Sequence, residues 1–274
     1  MGKKLKIILG GVVIAVVCVA VTYAVNAHNT DKALSKQIKS LEEKNTALAQ
    51  EMEEMQKQID KLSGKVEYSD DAYNYLAIGN SITKHGITSY WWNECGMAAS
   101  RPEKDYFHVV TKYLEKNNKE VCSYSVSFKT WEIQSYDRAE TYSIIEPYLD
   151  DSLDLITIQL SENVDETDTF AEDFEELIGY IEGKAPKAQI LVVDDFWDTE
   201  EKTKIKQEVS EAMDVEFLSL AEIKDNKDYR IGHDGVVYDM DGQPHLVKHM
   251  GVKEHPNDKG MKYIADTIIA AIKK

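Results

Sequence analysis

Positive charge is scarce in this sequence. Its 274 residues carry 32 lysines and arginines against 49 aspartates and glutamates, a formal net charge of −17. That balance argues against nucleic acid, whose recognition needs basic patches, and against docking of the folded part on anionic lipid. Cysteine is nearly as rare. Cys18 lies in an apolar run, which leaves Cys95 and Cys122. Spacing alone leaves a Cys95–Cys122 pair open; two unpaired small hydrophobes are the expectation. There is no Cys-x-x-Cys pair, and the one His-x-x-x-His spacing, His245 to His249, lies in the long loop from about Ala221 to Gly251 and not in a helical pattern. The histidines and acids His85, His108, His233, His245, His249, Asp234, Asp239 and Asp241 are therefore weak evidence for a metal, and neither metal nor cofactor is expected. No segment repeats at a fixed period. The Gly-x-Ser-x-Gly elbow of one large hydrolase class is also missing.

What is present falls into three segments. In residues 1–29, Lys3, Lys4 and Lys6 precede an uncharged, mostly apolar run from Ile7 to Val25. The run is long enough to cross a bilayer as a single helix, with the lysines cytoplasmic and the remainder outside. A cleaved signal peptide ending near Ala27 and a lipoprotein signal at Cys18 are the alternatives. In residues 30–66, Leu34, Leu41, Leu48, Met55 and Leu62 occupy d positions of a heptad pattern. Ile38, Asn45, Met52, Ile59 and Val66 occupy a positions. Leucine at d with a single Asn at a favours a parallel two-stranded coiled coil, so a homodimeric stalk roughly 50 Å long is expected. A lone amphipathic helix is the alternative.

Residues 67–274 read as the globular domain. Apolar runs at Tyr73–Ile78, Val121–Phe128, Leu153–Leu160, Gln189–Val193 and Val215–Leu218 alternate with helix-like patterns near 104–117, 137–149, 170–182, 199–213 and 257–272. Strands alternating with helices imply an α/β fold, a parallel sheet covered on both faces. The acidic stretch from Asp150 to Glu182 reads as a solvated helix face and its loop.

In such a fold ligands bind beyond the carboxyl ends of the strands. Gly79-Asn80-Ser81 falls there, after the first strand, where a serine can be exposed with its own N–H facing the same hollow. Ser161-Glu162-Asn163 ends the third strand, on the same rim, and the Asn side chain can offer an N–H to the same developing charge. His255-Pro256 precedes the last helix, capped by Asn257 or Asp258; a histidine beside a helix N-terminus stays neutral more readily and is available as a base. Taken singly, each motif also reads as turn or surface chemistry.

Together and in this order they resemble the SGNH hydrolases, the GDSL-type esterase superfamily. The usual Gly-Asp-Ser block stands as Gly79-Asn80-Ser81, the usual Gly-x-Asn block as Ser161-Glu162-Asn163, and the catalytic His before Pro as His255-Pro256. The resemblance spans Tyr73 to the C-terminus. It implies a flavodoxin-like three-layer α/β/α fold with a five-stranded parallel sheet. It also implies that Ser81 attacks an ester carbonyl and His255 relays the proton, while the Ser81 N–H and the Asn163 side chain form the oxyanion hole.

The departures are specific. The family's Asp three residues before the His is Val252 here, so a backbone carbonyl or another acid such as Asp241 must support the imidazole; Glu254 is expected to point away. The oxyanion-hole Gly after the second strand is missing from "SFKTWEIQ", and an N–H near Thr130 or Trp131 is the replacement expected. Trp91-Trp92 reads equally as a platform for a sugar face or as core. The expected activity is an extracytoplasmic, membrane-bound serine esterase. Its expected substrates are esterified small molecules or O-acetylated cell-surface polysaccharide. The alternatives are an O-acyltransferase with the same Ser-His chemistry and an inactive glycan-binding or scaffold protein that keeps the fold.

Overall fold

The computed structural model describes residues 39–41, 44, 64–197, 199–224 and 226–273. The expected membrane segment 1–29 and nearly all of the expected stalk lie outside them; residues 39–41 and 44 are helical. No helix among the described residues is long and apolar enough to cross a membrane. Residues Gly64–Lys274 form one compact unit.

Five short apolar runs become five parallel strands: β1 Tyr73–Gly79, β2 Val121–Ser127, β3 Leu155–Gln159, β4 Gln189–Val193 and β5 Glu216–Leu218. Their order is β2-β1-β3-β4-β5. The chain leaves β1 towards β2 and then returns to the other side of β1 for β3, which places the switch of strand order at β1 and β3. The register brings Gly79 level with Ser127 on one side and Gln159 on the other, so three strands end on a common rim. This is where open α/β sheets hold ligands.

Alternate residues of each strand feed two cores. Tyr75, Ala77, Leu155, Leu191 and Val193 face α1 (Tyr106–Asn117) and the C-terminal helix, Asp258–Ala271. Leu76, Ile78, Ile156, Ile158, Ile190 and Val192 face Phe170, Phe174, Leu177 and Ile181 of Phe170–Lys184 and Val209 of Glu200–Ala212. The result is three layers, as the alternating pattern predicts. Each fully buried aliphatic side chain contributes on the order of 2 kcal/mol of transfer free energy. In chain order the remaining helices are α2 (Lys129–Ile133), α3 (Phe170–Lys184), α4 (Glu200–Ala212), α5 (Met250–Lys253) and α6 (Asp258–Ala271).

Two stretches differ from the sequence reading. Residues 137–149 form 3-10 turns, Arg138–Ile144 and Glu146–Tyr148, instead of one α-helix. Asp137 enters with a left-handed φ of +46°, and Pro147 removes an N–H and crowds the preceding turn. The buried Arg138 fixes this segment: it donates to the carbonyls of Trp131 and Glu166 and to Asp173. Asp173 is thus not part of a purely solvated acidic face. The loop after residue 221 is also more ordered than its composition suggests. It contains an antiparallel hairpin, β6 Val236–Tyr238 with β7 Pro244–Leu246, and then α5.

Candidate active site

Strand β1 ends on a glycine because nothing larger fits. A Cβ on Gly79 would lie 1.9 Å from Thr83 Oγ1 and 2.7 Å from the Gln159 carbonyl. The chain then turns at once: the amides of Thr83 and Lys84 both donate to the Asn80 carbonyl, and Ile82 N–H donates to Asn80 Oδ1 at 3.0 Å. Ser81 sits at the mouth of this turn. Its carbonyl accepts from Met97 N–H at 2.8 Å, and its residual exposure is 8%.

His255 arrives from the other end of the chain. The Asn257 side chain caps α6 by accepting from the amides of Lys259 and Gly260, and the Ile231 amide donates to the His255 carbonyl. The imidazole Nε2 lies 2.8 Å from Ser81 Oγ, and Nδ1 lies 2.8 Å from the Gly251 carbonyl. A carbonyl only accepts, so Nδ1 carries the hydrogen and Nε2 presents a lone pair to the serine hydroxyl. The edge of the assembly is closed by Trp197, whose ring meets the imidazole at 84° with centroids 5.0 Å apart and whose Nε1 donates to the Glu254 carbonyl. Burial pushes the His255 pKa down to about 4. The Gly251 carbonyl opposes that shift, and His85, Lys129 and His249 add to it. Desolvation, more than the helix N-terminus invoked from sequence, keeps this base neutral.

The support of His255 is therefore a backbone carbonyl, one of the two options the sequence left open. Val252 lies in the apolar core, and Asp241 does not take the Nδ1 hydrogen. Glu254 points away to Arg230 Nη1 at 2.7 Å.

Asn163 lies on the same rim, but its side chain is already engaged. Its Nδ2 donates to Glu132 Oε2 at 2.6 Å. Glu132 also accepts from Asn80 Nδ2 at 2.9 Å and from the Ser161 amide at 2.6 Å, both on Oε1. Ser161 holds a φ of +117°, a conformation natural to glycine. Its hydroxyl donates to Asp195 and its amide to Glu132, which hold it there. Of the amides after β2, where the resemblance led to the expectation of a donor, Phe128 N–H is taken by the Gly79 carbonyl at 2.6 Å. Trp131 N–H is taken by the Phe128 carbonyl at 3.0 Å, which leaves Thr130 of the two positions named from sequence.

Beneath the rim lies a layer of buried charge that sequence reading missed. Lys206 Nζ pairs with Asp195 Oδ1 at 2.9 Å and donates to the carbonyls of Leu160 and Val193. Lys202 Nζ donates to the carbonyls of Ser161, Glu162 and Val164, and Lys224 pairs with Asp194 at 2.7 Å. Glu162 accepts from Asn80 Nδ2, Gln159 Nε2 and the Phe196 amide. Burial raises its carboxyl to about 8, with Asp195 adding to the shift. Lys202 and Lys206 sit one turn apart on α4, in a Lys/Glu-rich stretch that resembles an exposed helix; only the tertiary fold turns them inward.

A groove of about 500 Å³ is lined by Tyr90, Trp92, His245, Leu246, Lys248 and His249 among others. Tyr90 stacks on His249 and Trp92 on His245, each with centroids 4.2 Å apart. His249 directly precedes α5, whose Gly251 holds the imidazole. The two tryptophans part company: Trp91 is 1% exposed and belongs to the core, whereas Trp92 lines the groove. His108, His233 and His245 are each tied to a separate acid, Asp105, Asp234 and Asp239. Cys95 is buried in the core, Cys122 lies on β2, and both are free thiols.

No family model matches the sequence, and no curated protein does either. Solved structures with similar backbones are lipases and esterases. A two-domain esterase active on acetylated mannans, co-crystallised with mannopentaose, shares 18% identity at a TM-score of 0.49. That alignment covers 79% of this chain and 52% of the other, so the chain spans about half the length of that enzyme. An extracellular lipase from Streptomyces rimosus shares 13% identity at a TM-score of 0.47, covering 73% of this chain and all of the lipase. A family two carbohydrate esterase from Clostridium thermocellum shares 16% identity at a TM-score of 0.47, covering 73% and 63%.

Proposed function

We propose that this chain is a membrane-anchored, extracytoplasmic serine esterase of the SGNH type that removes O-acetyl groups from surface polysaccharide. The observation that carries the enzymatic part is the 2.8 Å approach of Ser81 Oγ to a His255 Nε2 whose other nitrogen is fixed by a carbonyl. In the first half-reaction Ser81 Oγ attacks the ester carbon and its proton passes to Nε2. The tetrahedral adduct then collapses, and the leaving alcohol takes that proton. In the second half-reaction water attacks the acyl-serine, again through His255, and releases the acid. The Ser81 amide and the second N–H of the Asn163 side chain are the donors for the transient oxyanion.

The polysaccharide part rests on the groove beside the dyad. Tyr90 and Trp92 offer ring surface of the kind that packs on pyranose faces, and the groove is open enough for a chain rather than an isolated ester. The location rests on the apolar run Ile7–Val25 with its preceding lysines, and the dimeric stalk on the heptads of residues 30–66.

Incubation of the protein with a fluorophosphonate probe and with an aryl acetate tests the chemistry. Covalent labelling at Ser81 together with turnover, both lost in Ser81→Ala, is the expected result. An unlabelled serine and no turnover would leave a non-catalytic glycan-binding protein as the better reading.

A further inference from the structure

Glu132 is the least expected side chain of the rim. It sits in the five-residue helix α2 and is 1% exposed, yet among the described residues no lysine, arginine or histidine lies within ion-pair distance of it. Its hydrogen-bond partners are all N–H donors. The side-chain amides of Asn80 and Asn163 and the backbone amide of Ser161 lie at 2.9, 2.6 and 2.6 Å. Both oxygens accept, which favours the ionised form; burial works against it and raises the carboxyl pKa, and the N–H donors oppose that shift. A buried anion held by dipoles alone is costly, and such groups call for a reason beyond packing.

The reason lies in what the three partners do. Asn80 adjoins the nucleophile. Ser161 carries the left-handed backbone that turns the strand end back over the rim. Asn163 supplies the side-chain amide expected in the oxyanion hole. An Asn amide can flip, presenting Oδ1 where Nδ2 was, and a flipped amide would aim a lone pair at the developing negative charge. With Glu132 accepting one Nδ2 hydrogen, the flipped state sets Oδ1 against a carboxylate. The amide is thereby locked with its second hydrogen free.

The same network explains why the residue before the nucleophile is Asn. Its Nδ2 donates to Glu132 and, at 2.6 Å, to Glu162, so an Asp here would gather three carboxylates in one buried hollow.

We propose that Glu132 is a positioning residue of the oxyanion hole: its carboxylate orients the Asn163 amide and secures the left-handed Ser161 beneath it. The inference rests on the esterase reading of Ser81 and His255. It assigns to an acid on α2 the work of aligning a hydrogen-bond donor, with no part in proton transfer.

A double-mutant cycle in the full chain with an aryl acetate tests it, with kcat counted per site titrated by the fluorophosphonate probe. Glu132→Gln puts an amide group where three donors converge, so kcat should fall on the order of 10–100-fold with KM changed less than about threefold. Asn163→Ala should lose a similar factor. The pair together should lose no more than about twofold beyond Asn163→Ala alone, because Glu132 acts through that amide. Glu132→Asp keeps the charge, shortens the reach by one methylene, and should recover part of kcat; it carries the same cycle if Glu132→Gln does not fold. Wild-type kcat in folded Glu132→Gln, or losses that multiply fully in whichever double variant folds, would overturn the assignment. A wild-type protein that neither labels nor turns over would instead remove the esterase reading underneath it.

Discussion

Acidification should act on this protein through His255 twice, once on rate and once on stability. The imidazole is held neutral by burial, with a pKa lowered from 6.5 to about 4, whereas in the unfolded chain it titrates near its ordinary value. Above pH 6.5 neither state is protonated and the group contributes nothing. Between pH 6.5 and 4 the unfolded chain takes up a proton that the native state refuses, so the native state loses stability as pH falls. A difference of roughly 2.5 units at 1.36 kcal/mol per unit amounts to about 3 kcal/mol, fully lost below pH 4. On the kinetic side, the base stays competent well into the acid range. The acid limb of kcat/KM for an aryl acetate should have its midpoint near pH 4 rather than 6.5. Urea unfolding of wild type and of His255→Asn from pH 7.5 to 4.5 reads the stability term, which should appear as a steeper loss in wild type. An acid limb centred near 6.5, with parallel stability profiles for the two proteins, would show that the imidazole is solvated and that the reasoning from burial fails.

Two further outcomes follow from named contacts. Replacing Lys206 by Met leaves Asp195 buried without its cation and removes two donors to the carbonyls of Leu160 and Val193; urea unfolding should show a loss of about 3–5 kcal/mol, and a change below 1 kcal/mol would mean that Asp195 is neutral or hydrated. Residues 30–274 should sediment as a dimer at micromolar concentration, with residues 67–274 alone monomeric; a monomeric longer chain would remove the coiled-coil reading of the heptads.

The layering of the domain was legible because buried parallel strands are written as short apolar runs, and those at 73–78 and 189–193 fall within a residue of their structural ends. Residues 137–149 were misread because the apolar spacing that suggests an α-helix is also satisfied by successive 3-10 turns. What decides between them is Pro147 together with the partners of Arg138, which lie on α2 and α3 and before them. The four residues of α5 are too few to show a period. In the site, Ser81 and His255 were recognisable because each stands at a punctuation mark, a strand end that only Gly can make and a capped helix start. Glu132 had no such mark. It follows Trp131 in a short helix, and nothing in "KTWEI" says that its carboxylate meets two strand ends 29 and 52 residues away in sequence.

On the esterase reading, Val252 and Glu132 bear on the same chemistry. In a triad the acid does two things for the imidazole: it fixes the tautomer and it stabilises the cation that forms when serine gives up its proton. The Gly251 carbonyl supplies the first and, having no charge, little of the second. His85, Lys129 and His249 bear on the same ring with the opposite sign. Proton transfer from a serine hydroxyl to a neutral imidazole is uphill, so on the esterase reading the alkoxide forms together with the new bond, while its charge moves onto the carbonyl oxygen. The transition state then relies more heavily on the donors around that oxygen than it would with a carboxylate behind the histidine. A side-chain donor free to flip would be a poor basis for such a site. An amide locked by a buried carboxylate is a stronger one, because its dipole is already aligned before the charge arrives and no reorganisation is needed when it does. On that reading the carbonyl behind the imidazole is matched by a rigid donor on the other side of the nucleophile, and substitutions around Asn163 should weigh more on kcat here than in an esterase with a full Ser-His-Asp triad.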